Sequence, residues 1–223
     1  MHHPTDTELN RTTYSRVCKQ LREDILSGFF EPGVRLRIVE LTNRYQVSQM
    51  PIREALQQLQ GEGLIILNPQ KGASVREVDE QFVMNMYDIR IAIETMLAQK
   101  GVIHLTDHLY NELSEIEDNY EKAVHNTDTT SALQWNEKLH RKINDLANNP
   151  EAVQIINRHW GLIDSMRHQF GFSEIRIAET IQEHRLLLQA LKQRDADMVA
   201  QVTLEHVTKA KNDLINRMKL RNQ

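Results

Sequence analysis

At 223 residues, 40% of them hydrophobic, the chain is long enough to bury a real core and fits one or two domains of ordinary size. A formal charge of -4 excludes a protein coated throughout in phosphate-binding charge, and a single cysteine, Cys18, excludes an intrachain disulfide and fits a reducing compartment. No run of eighteen apolar residues is present to span a membrane, and the opening MHHPTDTELN lacks the basic-then-apolar order of a signal peptide, so a cytoplasmic protein is expected.

Residues 1–10 read as a flexible tail. Tyr14, Val17, Leu21 and Ile25 then recur at helical spacing, with Gly28 closing the helix and Cys18 on its apolar face, where packing rather than reactivity is its expected role. FFEPGVRL is a turn by its Pro-Gly pair; Ile38, Leu41 and Tyr45 mark a short second helix, and QVS is a tight connection to a third over residues 49–62. Pro51 belongs near the start of that third helix. In a helix interior it would remove a hydrogen bond and clash with the preceding turn, whereas in the first turn its missing N–H has no partner to lose.

Ile52, Leu56 and Leu59 give the third helix one buried stripe, leaving Gln49, Met50, Arg53, Gln57 and Gln60 to face outward. An outward row of amide and guanidinium groups is what a base reader needs; solvated helices carry such rows too. Ser48 stands at the N-cap position, where its hydroxyl can serve the helix or a phosphate. After Gly61 and Gly63, LIILN and ASVREV read as two short strands joined by PQKG, with Lys71 and Gly72 at the tip. Three helices and a hairpin make residues 11–77 a winged helix-turn-helix. This stretch holds ten Lys and Arg against seven Asp and Glu, net +3, while residues 78–223 hold seventeen against twenty-two, net -5, so any nucleic-acid surface is local.

From Asp79 onward Pro and Gly almost vanish, and long apolar-periodic segments cover residues 79–101, 106–126, 129–147, 151–170, 174–194 and 195–220. Residues 78–223 therefore read as an all-helical bundle, giving a mainly α protein of two domains. Asn136 and His140 stand four apart and share a helix face, while His184 and His206 sit on separate later helices. Three imidazoles and an oxygen converging from three helices suit Zn²⁺ or another divalent transition ion. With ten histidines in the chain, ordinary buried or surface histidines are the competing reading.

The stretch LTNRYQVSQMPIREALQQLQGEGLIILNPQKGASV resembles the DNA-binding domain of GntR-family bacterial transcription regulators, with Val47, Ser48, Pro51, Arg53, Glu54, Ala55, Leu56, Gly63, Leu64 and Gly72 in register. The second region resembles the helical, FCD-type effector domain of the FadR-like branch. The resemblance implies a homodimeric repressor on a pseudo-palindromic operator in double-stranded DNA, controlled by a small organic acid. It assigns DNA contact to Ser48, Gln49, Met50, Arg53, Lys71 and Gly72. Gln49 and Met50 replace the family's usual arginine and threonine, which shifts the expected readout from guanine toward adenine and a thymine methyl.

In the second region NEKLH, EHRLLLQALKQRD and LEH match the metal-binding members of the branch, which implies Asn136, His140, His184 and His206 as ligands of a divalent ion, Zn with Ni or Mn as alternatives. Asn136 replaces an aspartate. The neutral ligand set then leaves the ion's charge uncompensated, weakening retention and favouring an anionic effector. Arg90 and Arg167 are the expected carboxylate forks, against a simple Arg90–Glu94 ion pair. Two rival functions remain: a metal-dependent hydrolase using the three histidines, though without an H-E-x-x-H, and a regulator sensing the metal itself.

Overall fold

The computed structural model describes residues 6–68, 72–76 and 78–221, and the chain divides into two compact units, Met1–Asp79 and Glu80–Gln223. The first unit runs α1 (Asp6–Leu26), β1 (Arg35–Leu36), α2 (Ile38–Tyr45), α3 (Gln49–Gly61), β2 (Ile65–Asn68) and β3 (Gly72–Val75). Helix α1 begins at Asp6, inside the stretch expected as a tail. Residues 6–13 offer one apolar residue, Leu9, so hydrophobic periodicity gives no signal there, and the helix extends by backbone bonding from the buried turns that follow.

Helix α1 packs on α3, and the core between them includes Val17, Leu21, Ile52 and Leu59, all fully buried. A buried fork clamps the same pair: Arg22 donates from Nε and Nη2 to the two Glu62 oxygens at 2.8 and 2.7 Å. The three strands form one antiparallel sheet in the order β1-β3-β2, with Ile65 opposite Val75 and Asn68 opposite Gly72. Strand β1, two residues long, falls within the stretch read as a turn; it is too short to show alternation. Gly72 has φ +82, a left-handed conformation that glycine adopts without steric cost at the turn into β3.

The second unit is α4 (Glu80–Gly101), a short 3-10 turn, α5 (Asp107–His125), α6 (Thr129–Asp145), α7 (Pro150–Phe170), α8 (Glu174–Gln193) and α9 (Ala196–Arg221). Its helices start where short polar residues can accept from free N–H groups. Thr106 takes Leu109 N, Asp128 takes Ser131 N, Asn149 takes Ala152 N and Ser173 takes Arg176 N. Helix α4 packs on α9, α5 on α6 and α8 on α9, around a core containing Leu113, Leu139, Leu191 and Val199 at 0% exposure. This packing aims buried faces of α4, α5, α6, α8 and α9 at a common interior.

Candidate nucleic-acid interface and metal centre

In the first unit Pro51 is the third residue of α3, where its absent N–H is one of the first-turn donors with no intrahelical partner. The stripe of Ile52, Leu56 and Leu59 is buried, and Gln49, Met50, Arg53, Gln57 and Gln60 are all exposed, with Met50 at 65%. Ser48 occupies the N-cap position in extended conformation but makes no capping hydrogen bond. A capping side chain bonds the second or third N–H of the helix, and here the third residue is a proline. The Ser48 hydroxyl is exposed beside the helix N-terminus. Gly72 is exposed next to Arg35 of β1, whose Nε lies 3.6 Å from where a Cβ on Gly72 would stand. Arg35, missed at the sequence level because its strand was read as a turn, adds a cation beside the wing. Lys71 lies outside the described residues.

In the second unit the packing brings His140 of α6, His184 of α8 and His206 of α9 together with one ligand atom of each within 4.8 Å of the others. All three are buried, and the rings of His140 and His206 stack with centroids 4.9 Å apart. Each histidine faces a buried glutamate. His184 donates from Nδ1 to Glu117 Oε2 at 2.8 Å, and His206 from Nδ1 to Glu183 Oε2 at 2.8 Å, the carboxylates being acceptors only. His140 Nδ1 stands 3.8 Å from Glu94 Oε2, beyond hydrogen-bond reach.

These tautomers leave Nε2 of His184 and of His206 as lone-pair nitrogens. His206 Nε2 meets His140 Nε2 at 3.1 Å, and His184 Nε2 is buried with no hydrogen-bond partner. Converging imidazole nitrogens of this kind can serve a divalent cation, whereas an added proton is disfavoured. Burial pushes His206 down to about 3 over the opposing hydrogen bond to Glu183, and burial with the facing His206 and His184 holds His140 well below its ordinary value. A tetrahedral zinc site places two nitrogens, each ~2.0–2.1 Å from the ion, about 3.3 Å apart, close to the His140–His206 spacing. Carboxylates behind metal-binding imidazoles fix their tautomer and raise their basicity. The residues present therefore fit a divalent transition ion.

Asn136, one turn before His140, is half-buried and lines the adjoining cavity of about 320 Å³ together with His140 and His206. Arg90 and Arg167 line it too. Arg90 donates from Nε to Glu94 at 2.6 Å, so the ion pair weighed from the sequence is present, and it stacks between Tyr87 and Trp160 with centroids at 4.8 and 4.9 Å. Arg167 is more fully committed: Nη1 donates to Asp213 at 2.6 Å and to the Gly171 carbonyl, and Nη2 to the Ala210 carbonyl at 2.6 Å.

A third cavity arginine, Arg176, was not anticipated; it is buried, with Nη1 2.8 Å from Glu183 Oε2 and Nη2 donating to the His206 carbonyl. Arg176, Thr180 and His184 are four apart on one buried face of α8, a polar column whose spacing was legible although its burial was not. Glu183 projects to His206 and not to its neighbour His184, as adjacent helical positions require. Although burial alone would raise it, bonds from His206 and Lys209 hold Glu183 down to about 2.

Family comparison matches residues 13–75 to the bacterial regulatory proteins of the gntR family and residues 85–209 to the FCD domain. The uncharacterized HTH-type transcriptional regulator YdhC of Bacillus subtilis is 27% identical over 204 residues, covering 90% of this chain and 91% of that protein. The HTH-type transcriptional repressor RspR of Escherichia coli is 26% identical over 205 residues, covering 91% and 90%. Among solved structures, E. coli McbR/YncC superposes with a TM-score of 0.72 at 24% identity, covering 92% of this chain and 98% of that one.

Proposed function

The chain belongs to the GntR family of bacterial regulatory proteins, in the class that carries an FCD domain, and from that membership we propose a repressor whose grip on its operator is set by a small organic acid bound at a metal-containing pocket. DNA binding and transcriptional regulation come with the family, and neither the matched domains nor the relatives are enzymes, which leaves the three-histidine hydrolase without support. The finer reading rests on one observation: two members of the three-histidine cluster, His140 and His206, and the buried Arg90 line the same cavity.

In this reading α3 lies in the major groove. Gln49 pairs with adenine, Met50 covers a thymine methyl, and Arg53 bonds a base or phosphate. Ser48 donates its uncommitted hydroxyl to a phosphate, and the chain turns close to the backbone at Gly72, with Lys71 beside it. A homodimer presents two such helices to half-sites about one helical turn apart, because a two-fold protein reads a two-fold sequence. The protein works in the cytoplasm, and among the described residues no helix is long and apolar enough to cross a membrane.

His140, His184 and His206, with Asn136 as a neutral fourth donor, hold the ion. Bound there, a divalent ion supplies a Lewis-acid position for a carboxylate oxygen. Glu117 and Glu183 orient two of the imidazoles. Glu94 and Glu183 are already paired with Arg90 and Arg176, so much of their charge is spent, and an incoming anion is favoured. Zinc is the first choice, with nickel or manganese as alternatives. Metal analysis of protein purified without chelator or nickel resin checks the ion, and finding none removes it from the scheme. Operator selection from random DNA, repeated with metal alone and with metal plus acid, separates an acid sensor from a metal sensor. Arg53→Ala is expected to weaken the selected operator about 5- to 150-fold with a sequence-dependent penalty.

A further inference from the structure

Resting on the acid-sensing reading, we propose that the effector is a monocarboxylate with an apolar body, an aryl or branched-alkyl acid, and not a sugar acid or a dicarboxylate. The cavity's inner part carries His140, His206, Arg90 and Arg176, which suit one carboxylate. The walls around it are Tyr120, Leu133, Trp160, Ile163, Phe172 and Ile177, side chains that offer surface to a hydrocarbon and few partners to hydroxyls. Each hydroxyl of a sugar acid would lose water there, and a buried polar group left unpaired costs more than a made hydrogen bond returns.

Several of the polar groups that reach the cavity are already engaged, and Trp160 Nε1, a buried donor without a partner, offers one hydrogen bond and not the several that a polyhydroxy chain needs. Arg167 is held by Asp213 and two carbonyls, Arg176 by Glu183 and a carbonyl, and the Thr180 hydroxyl donates to the Arg176 carbonyl at 2.7 Å. A volume of about 320 Å³ lies at the small end of the ~300–1,000 Å³ typical of small-molecule pockets, enough for one ring or a short branched chain.

The lining also carries the exposed Thr127, Asp128 and Thr129 and the half-buried Glu137 and Asp164, which form its rim toward water. Glu137 is paired with Arg141 at 2.6 Å, but Asp128 spends its carboxylate on capping α6 and Asp164 has His168 as its ion-pair partner at 3.5 Å. A second carboxylate on the ligand would meet this acidic rim. With its arginines paired to carboxylates, the floor takes its net positive charge from the ion held by the histidines, and this ion, the apolar waist and the acidic mouth together select a single anionic end.

The chain has two tryptophans, Trp135 and Trp160, and only Trp160 lines the cavity, so Trp135→Phe leaves an emission reporter inside the site. The zinc-loaded, full-length W135F protein is titrated with 3-phenylpropionate, 4-methylpentanoate, gluconate and succinate, with 3-phenylpropionamide as the uncharged control. The expected order has both apolar acids at least tenfold tighter than gluconate, succinate and the amide. Introducing Ile177→Gln should narrow the gap between 3-phenylpropionate and gluconate at least threefold while zinc content, read by elemental analysis, stays unchanged. Gluconate or succinate binding as tightly as the apolar acids overturns the proposal and leaves acid sensing intact. If no acid of any class binds the zinc-loaded protein, acid sensing itself falls and takes the proposal with it.

Discussion

At residue scale, the histidines dominate the pH response. In the unfolded chain a histidine takes a proton near pH 6.5. In the folded chain burial keeps His206 neutral down to about 3 and holds His140 well below its ordinary value. Between those limits the unfolded state binds more protons, so stability rises with pH, is complete above 6.5 and drains away as pH falls toward 3. Glu183, held down to about 2, adds a loss of the same sign, but only below about 4.5. Urea unfolding of EDTA-treated protein, followed by helical circular dichroism, should give a lower midpoint at pH 5.0 than at pH 7.5; an unchanged or higher midpoint contradicts the neutral-imidazole assignment. Cys18 is a second case. Burial pushes its thiol up to about 11, so a disulfide reagent at pH 8 should modify the native protein far more slowly than the denatured protein, and equal rates would mean the α1 face is open.

The histidines themselves were readable through their spacing and the resemblance it carries. Their glutamate partners were not. Glu117 stands 67 positions before His184, and a glutamate at 0% exposure is rare enough that no local pattern points to it. The consequence is chemical as well as structural: Asn136 alone leaves an ion uncompensated, whereas Glu117 stands behind His184 with its charge available, while Glu94 and Glu183 share theirs with Arg90 and Arg176. Arg90 forms the ion pair with Glu94 that the sequence offered as the competing reading, and it also lines the cavity.

At element scale, the long helices were legible because each repeats an apolar stripe over several turns and starts at a short polar residue. Strand β1 and the first turns of α1 were not, since two residues show no alternation and residues 6–13 have no stripe. The clamp between α1 and α3 also escaped the sequence, because Arg22 and Glu62 are 40 residues apart. With Arg22 at 8% and Glu62 at 2% exposure, the pair tests how α3 is held against α1. Glu62→Gln keeps the shape and removes the charge facing the guanidinium, which should destabilise the first unit by about 3 kcal/mol. Arg22→Met combined with Glu62→Leu should recover much of that loss, since an apolar replacement leaves no buried charge. Operator binding at 37 °C and urea unfolding of the amide exchange-protected residues of α1 and α3 read both variants. A neutral Glu62→Gln would mean the fork contributes geometry without net stability.

At the scale of the whole molecule, one chain joins a DNA-binding unit with net charge +3 over residues 11–77 to an FCD unit with net charge -5 over residues 78–223. The first presents an exposed polar row from Gln49 to Gln60 on α3, and the second buries its histidine cluster among six helices. Thermodynamics constrains how such units communicate, whatever the path between them. If the acid changes operator affinity by some factor, bound operator must change acid affinity by the same factor and in the same direction. For a regulator whose two states differ by ~1–3 kcal/mol of coupling, that factor is about 5 to 150. The measurement is a pair of titrations on zinc-loaded protein, operator affinity with and without saturating 3-phenylpropionate, and 3-phenylpropionate affinity with and without saturating operator. An acid that weakens DNA binding should itself bind more weakly to the DNA-bound protein, by a matching ratio. Two ratios near unity, in a protein that binds both ligands tightly, would make the cavity a structural or metal-storage site with no authority over the DNA-reading unit.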